Sequence, residues 1–146
     1  MVKRAIDALT GDLFSLPSEP ATLPGTQDFS LAVRRLLSDA IKDSPLNASQ
    51  IAARMSELTG TTVTEHQLHA WTAPSREGWR FPFEYQPAFE TAAETHRLTA
   101  WLSGVRGGRF LVGREALNAE LGRLERMRDE AGRKIKQLKQ VMGEEA

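Results

Sequence analysis

The sequence predicts an all-α protein: a flexible N-terminal arm, a compact helix-turn-helix domain with an extended aromatic strap, and a long C-terminal coiled-coil helix. Three observations carry this expectation. Apolar residues recur at helical spacing in successive runs between Phe29 and Ala73. Two capping signals, Asn47-x-x-Gln50 and Thr64-x-x-Gln67, stand just ahead of two of those runs. A heptad pattern then extends from Leu117 to Met142. The implied division is an arm over 1–28, a helix-turn-helix domain over 29–113 and an oligomerisation helix over 114–146.

Composition sets outer limits. A chain of 146 residues accommodates one compact domain plus appendages. It contains no cysteine, which excludes disulfides, thiol catalysis and Cys-type zinc sites. No apolar run approaches the roughly 18 residues of a membrane span, and no signal-peptide core opens the chain, so a cytoplasmic protein without a membrane partner is expected. Lys and Arg number 19, as do Asp and Glu, giving zero net charge. That balance weighs against unaided DNA binding, because phosphates recruit cations.

The arm contains Pro17, Pro20, Pro24 and Gly25 among Ser, Thr and Glu, a mixture unable to bury much apolar surface. Within it, Leu9, Leu13, Phe14 and Leu16 could dock on a neighbour, although a disordered leader fits the composition better. Asp28 caps the first firm helix, Phe29 to Lys42. There Phe29, Ala32, Val33, Leu36, Leu37, Ala40 and Ile41 make an apolar stripe, and Arg34, Arg35, Asp39 and Lys42 are read as lying off it. Asp43-Ser44-Pro45 stops this helix.

The next helix follows Asn47 and turns Ile51, Ala52, Met55 and Leu58 inward. Gly60 closes it, because glycine takes the left-handed conformation of a helix C-terminus freely. Thr64 caps the following helix, with Val63 as the staple residue and Leu68 and Trp71 facing inward. Glu65, His66, Gln67, His69 and Thr72 remain outside or near the edge.

In Pro74 to Pro87, the aromatics Trp79, Phe81, Phe83 and Tyr85 alternate with Arg80, Pro82 and Glu84. Period two predicts an extended strap with one aromatic face laid over the helices. Helix resumes at Pro87 through Phe89, Ala92 and Ala93, with a joint near Thr95-His96-Arg97 before Leu98, Trp101 and Leu102. Gly104, Gly107, Gly108 and Gly113 then surround Arg106 and Arg109. Their spacing matches no phosphate-binding loop.

Along 114–142 the seam is Leu117, Leu121, Leu124, Arg128, Ala131, Ile135, Leu138 and Met142, with Arg128 the one polar intruder. So narrow a stripe suits a partner helix better than a globular core, which implies a homo-oligomer, parallel or antiparallel.

Two helices, a turn containing glycine and a polar outer face fit the helix-turn-helix plan, in which the second helix enters the major groove of duplex DNA. The expected base contacts are Thr64, Glu65, His66, Gln67 and His69, since Gln pairs bidentately with adenine and Thr with either partner. Arg76, Arg80, Arg106 and Arg109 would supply phosphate contacts. The plainer alternative is an ordinary helical hairpin. His66-x-x-His69 beside Glu65 has a spacing that could hold a metal, but structural zinc wants four ligands, and polar residues on a recognition face explain the pair better. No GxSxG, HExxH or convincing acid–base pair is present, so neither an enzyme nor a cofactor is expected.

Several stretches carry a resemblance: the LFSLP leader, IAARMSELTG, the strap around Trp79-Arg80-Phe81-Pro82-Phe83, ETHRLTAWLSGVRGGRFLVGREAL and the basic terminal helix. Together, from Asp12 to Gly143, they resemble small regulatory proteins of temperate phages, in particular those of Mu-like transposable phages and prophages. The PAFE and H-x-L-x-x-W-L portions also resemble phage regulators with a repressor-like helix-turn-helix. The resemblance implies a bacterial host cytoplasm and a role in phage gene control or transposition. The alternative is an adaptor that binds a phage or host protein through the aromatic strap or the C-terminal helix. Exposed aromatics among Trp79, Phe81, Phe83 and Tyr85 would favour that alternative.

Overall fold

The computed structural model describes residues 19–76 and 78–143, and the chain divides into two compact units, Met1–Phe110 and Leu111–Ala146. The described residues are all-helical. The order is α1 (Ser30–Asp43), α2 (Ala48–Thr59), α3 (Glu65–Thr72), a 3-10 turn (Phe83–Tyr85), α4 (Gln86–Ala93), α5 (Arg97–Val105) and α6 (Arg114–Val141). None of α1 to α6 is long and apolar enough to cross a membrane. The docking set Leu9, Leu13, Phe14 and Leu16 lies outside the described residues. The remainder of the arm is exposed except for the half-buried Pro20 and makes a turn in which the Thr26 N–H donates to the Leu23 carbonyl at 3.2 Å.

Helix α1 begins at Ser30 with Phe29, not Asp28, at its N-cap; Asp28 is one residue too early and only accepts from the Ser30 N–H at 3.3 Å. It ends where Ser44 turns extended ahead of Pro45, as steric conflict with the proline ring requires. Helices α2 and α3 each start with a complete capping box. Asn47 and Gln50 exchange side-chain and backbone bonds, both at 2.9 Å. Thr64 and Gln67 do the same at 2.9 and 3.2 Å. Gly60 sits at φ 70°, and its N–H donates to the Ser56 carbonyl at 3.0 Å. The Ser56 hydroxyl accepts from the Val63 N–H at 2.8 Å, so the turn between the helices is bonded across its width.

Helix α2 packs against α3 and α4, and α1 packs against α3 and α5. Leu37, Ile51, Met55, Leu68 and Phe89 are the largest fully buried side chains of the shared core. The joint between α4 and α5 falls at Glu94, which takes the left-handed conformation at φ 55° while the Thr95 N–H returns to the Glu90 carbonyl at 3.0 Å. Phe29, ahead of α1, meets the edge of Trp101 in α5 with ring centroids 5.2 Å apart.

Three features differ from the sequence-based expectation. The strap is not extended along its whole length. After Pro82 it closes into the 3-10 turn, with the Tyr85 N–H bonded to the Pro82 carbonyl at 3.0 Å, and a turn cannot hold period two. Phe81 and Tyr85 therefore face inward onto Trp71, at 5.3 and 5.9 Å, while Phe83 is 76% exposed and Trp79 is also exposed. Leu58 shares the face of Ile51, yet it lies in the last turn of α2, where the stripe runs out into an open groove, and it is exposed. Arg34 is buried rather than solvated, at 6% exposure. It precedes Leu37 by three residues and Ile41 by seven, so it belongs to the inward face by spacing, and only its charge argued otherwise.

In the second unit, α6 is a 28-residue helix, about 42 Å at 1.5 Å per residue. None of its residues is buried. Pairs within the helix, Glu120 with Arg123 and Glu130 with Lys134, brace its polar faces.

Candidate functional site

Helix α3 organises the site. Its inward residues, Leu68, Ala70 and Trp71, fix the helix against the core, which directs Glu65, His66 and His69 to solvent. Alternation of apolar and polar residues at helical spacing produces this division. Glu65 and His69 stand one turn apart, with Oε1 and Nε2 at 3.3 Å. His66 Nε2 lies 3.4 Å from Arg76 Nη1 across the chain that leaves α3. The His66 ring also meets the exposed Trp79 ring nearly at right angles, centroids 6.4 Å apart. One cation, two imidazoles, one carboxylate and one indole thus share a solvent-facing surface.

Thr64 and Gln67 are placed differently. Gln67 is half-buried, and its Oε1 accepts from the Thr64 N–H, while Thr64 Oγ1 accepts from the Gln67 N–H. The carbonyl end of Gln67 is therefore held by the cap, leaving its amide nitrogen as the free donor. Arg80 reaches Ser30 Oγ at 3.5 Å at the start of α1. Arg106 and Arg109 are exposed on the segment after α5, which packs on α1 and α4, whereas α3 packs on α1 and α2. The structure thus gathers Thr64, Glu65, His66, Gln67, His69 and Arg76 around α3, with Arg80 nearby at the start of α1. Arg106 and Arg109 belong instead to the segment between α5 and α6. No set of three or more His, Asp or Glu residues among the described residues is placed to hold a metal ion.

Two buried charges brace the first unit, one of them directly behind the site, and the sequence reading missed both. The Arg34 guanidinium donates to the carbonyls of Ala73, Arg76 and Trp79 at 2.8, 2.8 and 2.9 Å, and more loosely to those of Ala70 and Trp71 at 3.4 Å. These are the last carbonyls of α3 and those of the segment carrying Arg76 and Trp79. A helix C-terminus leaves its carbonyls unpaired and carries partial negative charge, so a cation is well placed there without a carboxylate partner. Arg34 therefore fastens α3, Arg76 and Trp79 to α1 as one piece. Glu90, 7% exposed, does the converse for α5. Its carboxylate accepts from the Thr99 N–H at 3.2 Å, from the Thr99 hydroxyl, and from Gln86 Nε2 at 3.2 Å. The Thr99 donors lie in the first turn of α5, where an anion opposes the positive end of the helix dipole. No buried side-chain polar atom among the described residues lacks a partner.

A second surface lies apart from the α3 face. Leu58, Thr61, Glu84, Tyr85, Pro87 and Ala88 help to line a groove of about 570 Å³ between the end of α2 and the start of α4. Comparisons with protein-family models, with curated proteins and with solved structures return no match.

Proposed function

We propose that the chain is a sequence-specific duplex DNA-binding regulator of phage genes or transposition, acting as a dimer or higher oligomer through α6. The observation that carries this reading is the α2–α3 pair: two capped helices, a bonded turn at Gly60 and a polar α3 face braced from behind by Arg34. In this reading the pair is a helix-turn-helix and α3 lies in the major groove. Glu65, His66 and His69 read base edges, and the free amide of Gln67 adds a donor. Arg76, beside them, contacts phosphate, and Arg80, Arg106 and Arg109 add phosphate contacts at the margins. A phage setting rests on the resemblance of the LFSLP, IAARMSELTG and ETHRLTAWLSG stretches.

The test is a set of point variants titrated against random and phage-derived duplexes. His66→Ala and His69→Ala are expected to change discrimination at individual base pairs by about 1–3 kcal/mol. Arg76→Ala should weaken all sequences alike. Equal affinity of these variants and the parent for every duplex would refute the assignment.

The adaptor reading is supported by one observation of its own, the exposure of Phe83 and Trp79. In that reading a phage or host protein covers them, and the α2–α3 pair is scaffold. Absence of duplex binding at low salt would favour it.

A further inference from the structure

We propose that α6 pairs with α6 of a second copy in the antiparallel direction, in the register that sets Leu121 against Leu138 and Ile135 against Leu124. The inference rests on the self-association proposed above and adds its direction and register. It is carried by the exposed apolar stripe of α6 and by the distribution of charge beside it.

In the heptad frame of α6, Leu121, Arg128, Ile135 and Met142 occupy one core position, and Leu117, Leu124, Ala131 and Leu138 the other. The flanking positions hold Glu120 and Glu125 in the first half and Lys134 and Lys139 in the second. A parallel, in-register pair would set Glu120 against Glu125 of the other copy and Lys134 against Lys139. It would also stack Arg128 on Arg128 within the seam. Each of these charged contacts is repulsive, and like charges at these positions select against the parallel arrangement.

The antiparallel pair reverses each of these. Glu120 then flanks Lys134 of the other copy, and Glu125 flanks Lys139. The apolar layers stay complete, with Met142 meeting Leu117 at the two ends. Arg128 faces Ala131, the smallest seam residue, so its stem has room and its head reaches water past the methyl group. Each helix is thus acidic-flanked in its first half and basic-flanked in its second, which makes it complementary to itself only head to tail. A second copy of this chain is therefore the occupant that fits the stripe.

The chain has no cysteine, so introduced thiols report alone. Under mild oxidation, a mixture of the Leu124→Cys and Ile135→Cys variants should give a disulfide between chains carrying different substitutions. Leu124→Cys alone should give none, because two copies of residue 124 lie about 16 Å apart along the antiparallel seam, beyond the roughly 7 Å that a disulfide spans. Ready 124-to-124 cross-linking would overturn the proposal in favour of a parallel pair. A monomer in sedimentation at all concentrations would overturn it too.

The Glu125→Lys variant gives an independent sign. It should weaken antiparallel association several-fold by opposing Lys139, whereas in a parallel pair it would strengthen association by meeting Glu120. The DNA reading is separable. A monomer that still binds duplex removes the pairing alone, and an antiparallel dimer that binds no duplex supports the pairing while removing the DNA assignment.

Discussion

The two units treat the same kind of sequence pattern in opposite ways. In Met1–Phe110, apolar stripes from α1 to α5 contribute to one closed core, and even the charges of Arg34 and Glu90 are buried, Arg34 satisfied by backbone carbonyls at and beyond the end of α3 and Glu90 by Thr99 and Gln86. In Leu111–Ala146, α6 carries a stripe of equal regularity and buries none of it. Periodicity identifies which face of a helix is apolar. Burial depends on what is available to cover that face, and the first unit supplies its own cover.

The contrast can be broken most severely at Phe89, which is fully buried. Phe89→Ala should lower the stability of the first unit by about 3–5 kcal/mol in urea unfolding, through lost burial and the cavity left behind. Leu124→Ala, on the exposed stripe, should leave that transition unchanged and weaken only self-association. A large loss from Leu124→Ala in the monomer would show that the stripe is already covered.

Arg34→Met comes next. It leaves several carbonyls at the end of α3 without their donor, and about 3 kcal/mol of stability should be lost with it. Arg34→Lys should lose less, since it keeps the charge but not the spread of donors. Hydrogen exchange should locate the damage of both variants at α3 and the Arg76–Trp79 segment.

Gly132→Ala should act in the opposite sense and more weakly. No atom lies within 4 Å of the added Cβ, and the glycine is inside a helix, so α6 should gain about 1 kcal/mol, read as a higher thermal midpoint of its helical signal. The smallest effect concerns Glu120. The hydrogen bond from Arg123 holds its carboxyl below the ordinary glutamate range. Its support of α6 is therefore present above the ordinary value and fades as pH falls through the lowered one. An NMR titration should show this shift, and Arg123→Ala should abolish it.

Much of the helical plan was legible because it is local chemistry. Asn47, Gln50, Gly60, Thr64 and Gln67 signal their caps and turn through backbone bonding that spans no more than four residues. Pro45 likewise marks the end of α1. What escaped the sequence was decided at long range. Arg34 is bonded to carbonyls as far away as Trp79, 45 positions along the chain, and a charged side chain gives no local sign of such partners. The aromatic strap misled because alternation at period two resembles a strand, whereas Pro82 starts a turn that sends Phe83 outward. In the candidate site, the exposure of Glu65, His66 and His69 followed from helical spacing. The placement of Trp79 beside His66 did not, since it depends on how Arg34 folds the intervening segment back.

The central proposal, that the α3 face binds duplex DNA, is tested most directly by measuring binding of the intact protein to duplex across a salt series. The account predicts an affinity that falls linearly on logarithmic axes as salt rises, with a slope reduced by about one in Arg76→Ala. No binding at low salt, or binding with no salt dependence, would contradict it.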